Sequence, residues 1–244
     1  MKNIKLTIEY DGTSYHGWQK QNNAVTIQDT IEACIAKITG EECSLTGASR
    51  TDQGVHALGQ VANFKTRSPI PVEKFPFVLN SVLPDDICIK KAELVDDSFH
   101  SRYDAKGKKY RYLIYNSPYP SALLRNRAYH VPAKLDIENM NKAAHLFFGT
   151  HDFTAFKAAG GSAKTSERTI TDVSLTKNEE LITFEIKGNG FLYNMVRIIV
   201  GTLIYVGLGK IDPDDVATII NSKERRNAGK TVGPQGLYLV EVYY

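Results

Sequence analysis

The chain has 244 residues, 42% apolar and 23% charged; these proportions exclude disorder and leave room for one large domain or two smaller halves. A net charge of +3 is too small to make the whole surface a polyanion trap, so a nucleic-acid site must be a local concentration of Lys and Arg. Cys34, Cys43 and Cys88 lack Cys-x-x-Cys spacing, and no P-loop, dinucleotide fingerprint or His-Glu-x-x-His occurs, which argues against a disulfide framework and against zinc or nucleotide chemistry.

Ile4, Leu6, Ile8 and Tyr10 alternate with Lys5, Thr7 and Glu9, the period of a half-buried strand ended by the Asp11-Gly12 turn. The N-terminus runs straight into this strand without the apolar block of a signal peptide, so a cytoplasmic protein is expected. A polar, aromatic loop from Ser14 to Asn23 carries Trp18, which can stack on a base or pack in the interior. Thr26 and Asp29 have helix-start spacing, with Ile27, Ile31, Cys34, Ile35 and Ile38 on one face.

Between short strand-like runs at Cys43–Thr46 and Gln60–Thr66 lies Gly47-Ala48-Ser49-Arg50-Thr51-Asp52-Gln53-Gly54-Val55-His56-Ala57. Glycines bracket it and small residues would let a large ligand approach. Arg50 and Asp52 offer one cation and one carboxylate. The same residues also suit a turn in which Asp52 caps its own backbone.

A second helix follows Ser68-Pro69-Ile70-Pro71, with Pro76 in its first turn and Phe75, Val78, Leu79 and Val82 inward; a strand from Ile87 to Val95 comes next. The order strand, helix, strand, strand, helix, strand is that of ferredoxin-like and RNA-recognition-motif domains. Phe99 to Arg111 is the most basic stretch, with Arg102, Lys106, Lys108, Lys109 and Arg111 against Asp104, interleaved with tyrosines. Such interleaving suits phosphates and bases, although Lys-rich edges also guard sheets against aggregation. From Lys109 to Tyr115, alternation puts Tyr110, Tyr112 and Ile114 on one face and Lys109 and Arg111 on the other.

Asp136 opens a helix expected to run through Phe148 and to close at Gly149. His151-Asp152 is a metal-ligand pair in some helical hydrolases, but strands flank it here, which favours a structural loop. The small, Gly-rich segment 158–166 is either an RNA-proximal loop or a surface turn, with Arg168 entering the next strand. Strands Arg168–Lys177 and Glu180–Lys187 form a hairpin. From Gly188 to Gly209 the only charged side chain is Arg197, so a buried helix is expected rather than a membrane span. A buried arginine needs an anionic partner, and among loop carboxylates Asp52 is the candidate. A helix from Asp212-Pro213 to Ser222, a basic loop and a strand Leu237–Tyr243 complete the chain.

Ser49-Arg50-Thr51-Asp52-Gln53-Gly54-Val55-His56-Ala57 resembles the signature of the TruA family of tRNA pseudouridine synthases, as do Tyr10-Asp11-Gly12-Thr13, Lys109-Tyr110-Arg111-Tyr112, the His151-Asp152-Phe153-Thr154 segment, Met195-Val196-Arg197 and Gly236-Leu237-Tyr238-Leu239. Ser49 stands where many members have glycine. The resemblance implies Asp52 as nucleophile, Arg197 as its ion-pair partner and Tyr110 against the target base, also a possible base, with no cofactor and no metal. It further implies a tRNA substrate modified in the anticodon stem-loop and a homodimer whose cleft spans both subunits. Arg50, Lys109, Arg111 and Arg168 are expected to bind that RNA together with Tyr110. The expected fold is α+β: two ferredoxin/RRM-like halves, 1–116 with the Asp52 loop and 117–244, sharing one mainly antiparallel sheet, with helices on one face and an RNA cleft on the other. Two rivals remain open: a non-catalytic RNA-binding protein, and a metal hydrolase using Asp52, His56 and the His151-Asp152 pair.

Overall fold

The computed structural model describes residues 1–161 and 163–244. These fold as two compact units, Met1–Lys106 with Tyr238–Tyr244, and Gly107–Leu237. Ser162, in the segment expected to form a loop at 158–166, lies outside the described residues.

In the first unit the period-two alternation forms β1 (Lys2–Tyr10), which buries Ile4, Leu6, Ile8 and Tyr10. Thr26 caps α1 (Ile27–Thr39): its hydroxyl accepts the Asp29 amide at 3.3 Å, and Ile27, Ile31 and Ile35 form the buried stripe. β2 is shorter than the Cys43–Thr46 run suggests, comprising Thr46–Gly47 alone, whereas β3 (His56–Thr66) begins four residues earlier than expected. α2 (Phe75–Asn80) buries Phe75 and Leu79 and ends before Val82, whose amide, like that of Leu83, turns back to the Leu79 carbonyl. β4 (Ile87–Val95) follows. β1 pairs antiparallel with β3 and β4, and β2 pairs antiparallel with β3. The resulting order, β4-β1-β3-β2, is that of the βαββαβ unit expected from the sequence.

The second unit opens with β5 (Gly107–Asn116), which buries Tyr110, Tyr112 and Ile114 on one face. β6 (Tyr129–Val131) runs parallel to the end of β5. Asp136 caps α3 (Ile137–His145) by accepting the Asn139 amide. This helix does not reach Phe148. Gly149, at φ 102°, instead opens β7 (Gly149–Asp152), because pairing with Ile170 draws it into the sheet. β8 (Glu167–Asn178) and β9 (Leu181–Gly188) make the expected hairpin, turning through Glu179 at φ 53°. The apolar run becomes α4 (Met195–Gly207), and α5 (Asp215–Ser222) follows. Among the described residues no helix is long and apolar enough to cross a membrane.

The strands of this unit lie in the antiparallel order β5-β9-β8-β7. Strands β5, β8 and β9, with α3 and α4, repeat the connection and order of β1, β2 and β3 with α1 and α2. β10 (Leu237–Tyr243) then returns to the first unit, where Tyr238 and Leu239 pair in parallel with His56 and Ala57. That pairing is why β3 starts early and β2 is confined to Ala62 and Asn63. The fold is α+β with mainly antiparallel strands, as expected.

Candidate active site

The Asp52 loop is a strand-to-strand connection whose backbone is held at both ends and in the middle. At its start the Ala48 amide donates to the Val61 carbonyl, and the side-chain amide of fully buried Gln60 accepts from the Ser49 N–H and donates to the Ser49 carbonyl. In this way Gln60 supplies Ser49 with the two bonds a neighbouring strand would make. In the middle, the Thr51 carbonyl accepts the Trp18 amide at 3.0 Å, and its hydroxyl meets the Tyr10 hydroxyl at 2.6 Å. At the end, the Val55 amide donates to the Asp52 carbonyl, and His56 Nδ1 accepts the Gly12 amide at 3.1 Å and lies 3.0 Å from Asp11 Oδ1. The His56 ring stacks on Tyr238 with centroids 4.7 Å apart.

Two glycines make these close approaches feasible. A Cβ on Gly17, which sits at φ 88°, would lie 2.5 Å from the Thr51 carbonyl oxygen, and one on Gly12 would collide with that of Val55. Asp52 is half-buried and Arg50 is exposed. Trp18 is only 1% exposed and packs on Tyr10, which removes the base-stacking alternative and makes it a wall of the loop's seat.

In the second unit, Tyr110 lies edge-on to Phe191, centroids 5.0 Å apart, on the face of β5 that also carries Tyr112. The Tyr112 hydroxyl donates to the Gly233 carbonyl, and burial raises its pKa well above the usual value although the nearby Arg197 charge pulls it down. Arg197 projects from the first turn of α4. Its Nε donates to the Val232 carbonyl at 2.8 Å and its Nη1 to Asn194 Oδ1 at 2.7 Å. Asn194 precedes α4 in the left-handed conformation, φ 60°, which asparagine tolerates better than most residues.

Lys109 and Arg111 point away from Tyr110 and converge on Glu185 of β9, at 2.7 and 2.8 Å. Burial pushes the Glu185 carboxyl up, but hydrogen bonds and charge from these two residues outweigh it and hold the pKa below the usual carboxylate value. Arg168 folds back onto the Thr165 and Glu167 carbonyls, and burial lowers its pKa. Asp152 is engaged by Thr154 and by Lys223 at 3.0 Å, while His151 Nε2 lies 2.8 Å from the Phe148 carbonyl. Both residues of the His-Asp pair thus have structural partners, and among the described residues no group of three or more His, Cys, Asp and Glu could hold a metal.

The sequence model described as tRNA pseudouridine synthase matches residues 6–104 and 143–244, a span that takes in the Asp52 loop and α4. The chain belongs to the tRNA pseudouridine synthases. It is 65% identical over 244 residues to the tRNA pseudouridine synthase A of Acetivibrio thermocellus and 57% identical to that of Thermoanaerobacter sp. strain X514, covering 100% of each chain in both cases. Among solved structures, a Cbf5-Nop10-Gar1 complex aligns at TM-score 0.38 and 14% identity over 97% of this chain and 48% of that one, too remote to inform the chemistry. The synthase is therefore an isomerase that converts uridine to pseudouridine.

Gln60, Phe191 and Asn194 carry no catalytic motif of their own in the sequence of the synthase. For Asn194 a local signal existed, since an asparagine directly before an apolar helical run reads as a helix start. Gln60 and Phe191 gave none, because their roles depend on partners distant in the chain.

Proposed function

We propose that the synthase isomerises uridines of the tRNA anticodon stem-loop, with Asp52 as nucleophile, Arg197 as its ion-pair partner and Tyr110 stacked on the target base. The observation that carries this reading is the Arg50-Thr51-Asp52 segment in a loop whose flanking backbone is fixed by buried groups, in a chain that belongs to the family. A preorganised carboxylate of this kind suits nucleophilic attack, which needs the reacting atoms held at a defined approach.

The reaction breaks the N1–C1′ bond of uridine, turns the base within the site and joins C5 to C1′, after which the C5 proton is lost. Nothing is oxidised and no group is imported, so the protein has to supply only a nucleophile, a proton acceptor and a seat for the turning base. Tyr110, largely buried and braced edge-on by Phe191, is the aromatic ring we assign to meeting a base that has left the helical stack. The Arg197 guanidinium, oriented by Val232 and Asn194, is suited to keeping a carboxylate ionised. Exposed Arg50 takes the space vacated by the flipped base or binds its phosphate. Lys109, Arg111 and Arg168 contribute longer-range attraction for the RNA backbone, Lys109 and Arg111 as a net positive cluster around Glu185. The proposed assembly is a homodimer, which the family resemblance supports and sedimentation of the purified protein tests; the proposed location is the cytoplasm, which the strand-like N-terminus without a signal-peptide block supports.

Incubation with tRNA carrying tritium at uridine C5, without added metal or nucleotide, tests the chemistry. The wild-type protein is expected to release tritium to water. Asp52→Ala is expected to bind the tRNA and release none; normal release by that variant would remove Asp52 from the reaction.

A further inference from the structure

We infer that Tyr10 is a positioning residue for Asp52, acting through Thr51; the inference rests on the reading of Asp52 as nucleophile. Thr51 is held at two separate atoms. Its carbonyl accepts the Trp18 amide at 3.0 Å, and its Oγ1 lies 2.6 Å from the Tyr10 hydroxyl. Two fixed points on one residue fix the plane of the peptide that follows it, and that peptide leads into Asp52. On the far side of Asp52 its own carbonyl accepts the Val55 amide at 3.1 Å. The backbone on both flanks is thereby set, and the carboxylate retains only its side-chain torsions.

The hydroxyl pair is built into the interior. Tyr10 is 3% exposed and Thr51 8% exposed, so water cannot readily replace either partner. Tyr10 itself is not free to follow the loop: it is the last residue of β1, in register with Ala57 and Ile87, and its ring lies against Trp18. The strand end is thus the fixed reference, and the tyrosine hydroxyl transmits its position across 41 residues of chain to the residue next to the nucleophile. A phenylalanine would fill the same space and pack on the same tryptophan, so packing alone does not call for the hydroxyl. The consequence of losing it is that residue 51 is held by its carbonyl alone, so it can pivot about that one bond and misaim Asp52.

The test is a double-mutant cycle of Tyr10→Phe and Thr51→Val, read by steady-state tritium release, by tRNA binding and by thermal unfolding, with Asp52→Ala alongside. Each single variant is expected to lower kcat by roughly tenfold to a hundredfold, the range for a small misplacement of a reacting group, with KM for tRNA unchanged. The double variant is expected to be no slower than either single one, because both lose the same bond and the double leaves no hydroxyl unpaired. Thr51→Ser keeps the hydroxyl and is expected to restore most of the turnover lost in Thr51→Val.

Unchanged kcat with a lowered melting temperature would reduce the bond to a structural role and overturn the inference, as would an effect confined to KM. A serine variant as slow as the valine variant would assign the effect to the threonine methyl group and overturn it too. Tritium release by Asp52→Ala would instead sink the assignment of the nucleophile, an outcome distinct from any of these.

Discussion

The Arg197 guanidinium is planar and forked, and it donates from two nitrogens, Nε to Val232 and Nη1 to Asn194, at 2.8 and 2.7 Å. A lysine carries the same charge on a single nitrogen at the end of a flexible stem and cannot hold both contacts in the fixed fork geometry. Arg197→Lys is therefore expected to lose at least tenfold in kcat while its melting temperature stays close to wild type, measured by tritium release and calorimetry. Asn194 separates backbone strain from function at the same place. Replacing it with glycine relieves the left-handed φ but removes the Oδ1 that aims the guanidinium. Asn194→Gly should thus change stability by less than about 1 kcal/mol yet slow the reaction. A glycine variant with full turnover would show that Val232 alone suffices to orient Arg197.

At the scale of elements, the cross-strand cluster of Lys109, Arg111 and Glu185 ties β5 to β9. The folded-state pKa of Glu185 lies below its unfolded value, so the cluster stabilises fully above the unfolded pKa and its contribution is lost as pH falls through the lowered folded value. Glu185→Gln is expected to cost roughly 1 kcal/mol near neutrality, about 2–4 °C in melting temperature for a chain of this size. The gap between wild type and variant should close as the pH is lowered through the acid range; a gap constant with pH would mean that the loss is one of packing.

Elements governed by their own sequence were readable from it: the alternation of β1 and β5, the Thr26 and Asp136 caps, and the apolar run of α4. Gly149 was not, because a glycine after a helix reads as a cap unless one knows that Ile170 pairs with it. The pairing of Lys109 and Arg111 with Glu185 is hidden for the same reason, since alternation assigns a face and not the neighbour across the ladder. Of the residues proposed to act, Asp52, Tyr110 and Arg197 each sit in a recognisable motif, whereas the contacts by which Tyr10, Gln60 and Trp18 hold the Asp52 loop arise only through folding.

At the scale of the molecule, the chain leaves its first unit at Lys106 and completes that unit only with its last seven residues, Tyr238–Tyr244. Their contribution is specific. β10 occupies the edge of β3 at His56 and Ala57, Tyr238 stacks on His56, the Tyr243 carbonyl accepts the Lys106 amide, and the Tyr244 hydroxyl donates to the Ser101 carbonyl. Burial, with a smaller push from Asp104, raises the Tyr244 pKa, as expected for a hydroxyl kept neutral in a largely enclosed site. Deleting residues 238–244 therefore exposes the backbone of β3 where it leaves the Asp52 loop and takes away the ring on which His56 rests. The β4-β1-β3-β2 core keeps its own pairings. The truncated protein is expected to retain most of its helical circular dichroism, to lose amide protection first in His56–Gln60 and the preceding loop, and to release no tritium from tRNA. Hydrogen exchange followed by mass spectrometry checks the order. Uniform loss of protection across both units would show instead that the last strand holds up the whole fold, and the loss of activity would then carry no information about the loop.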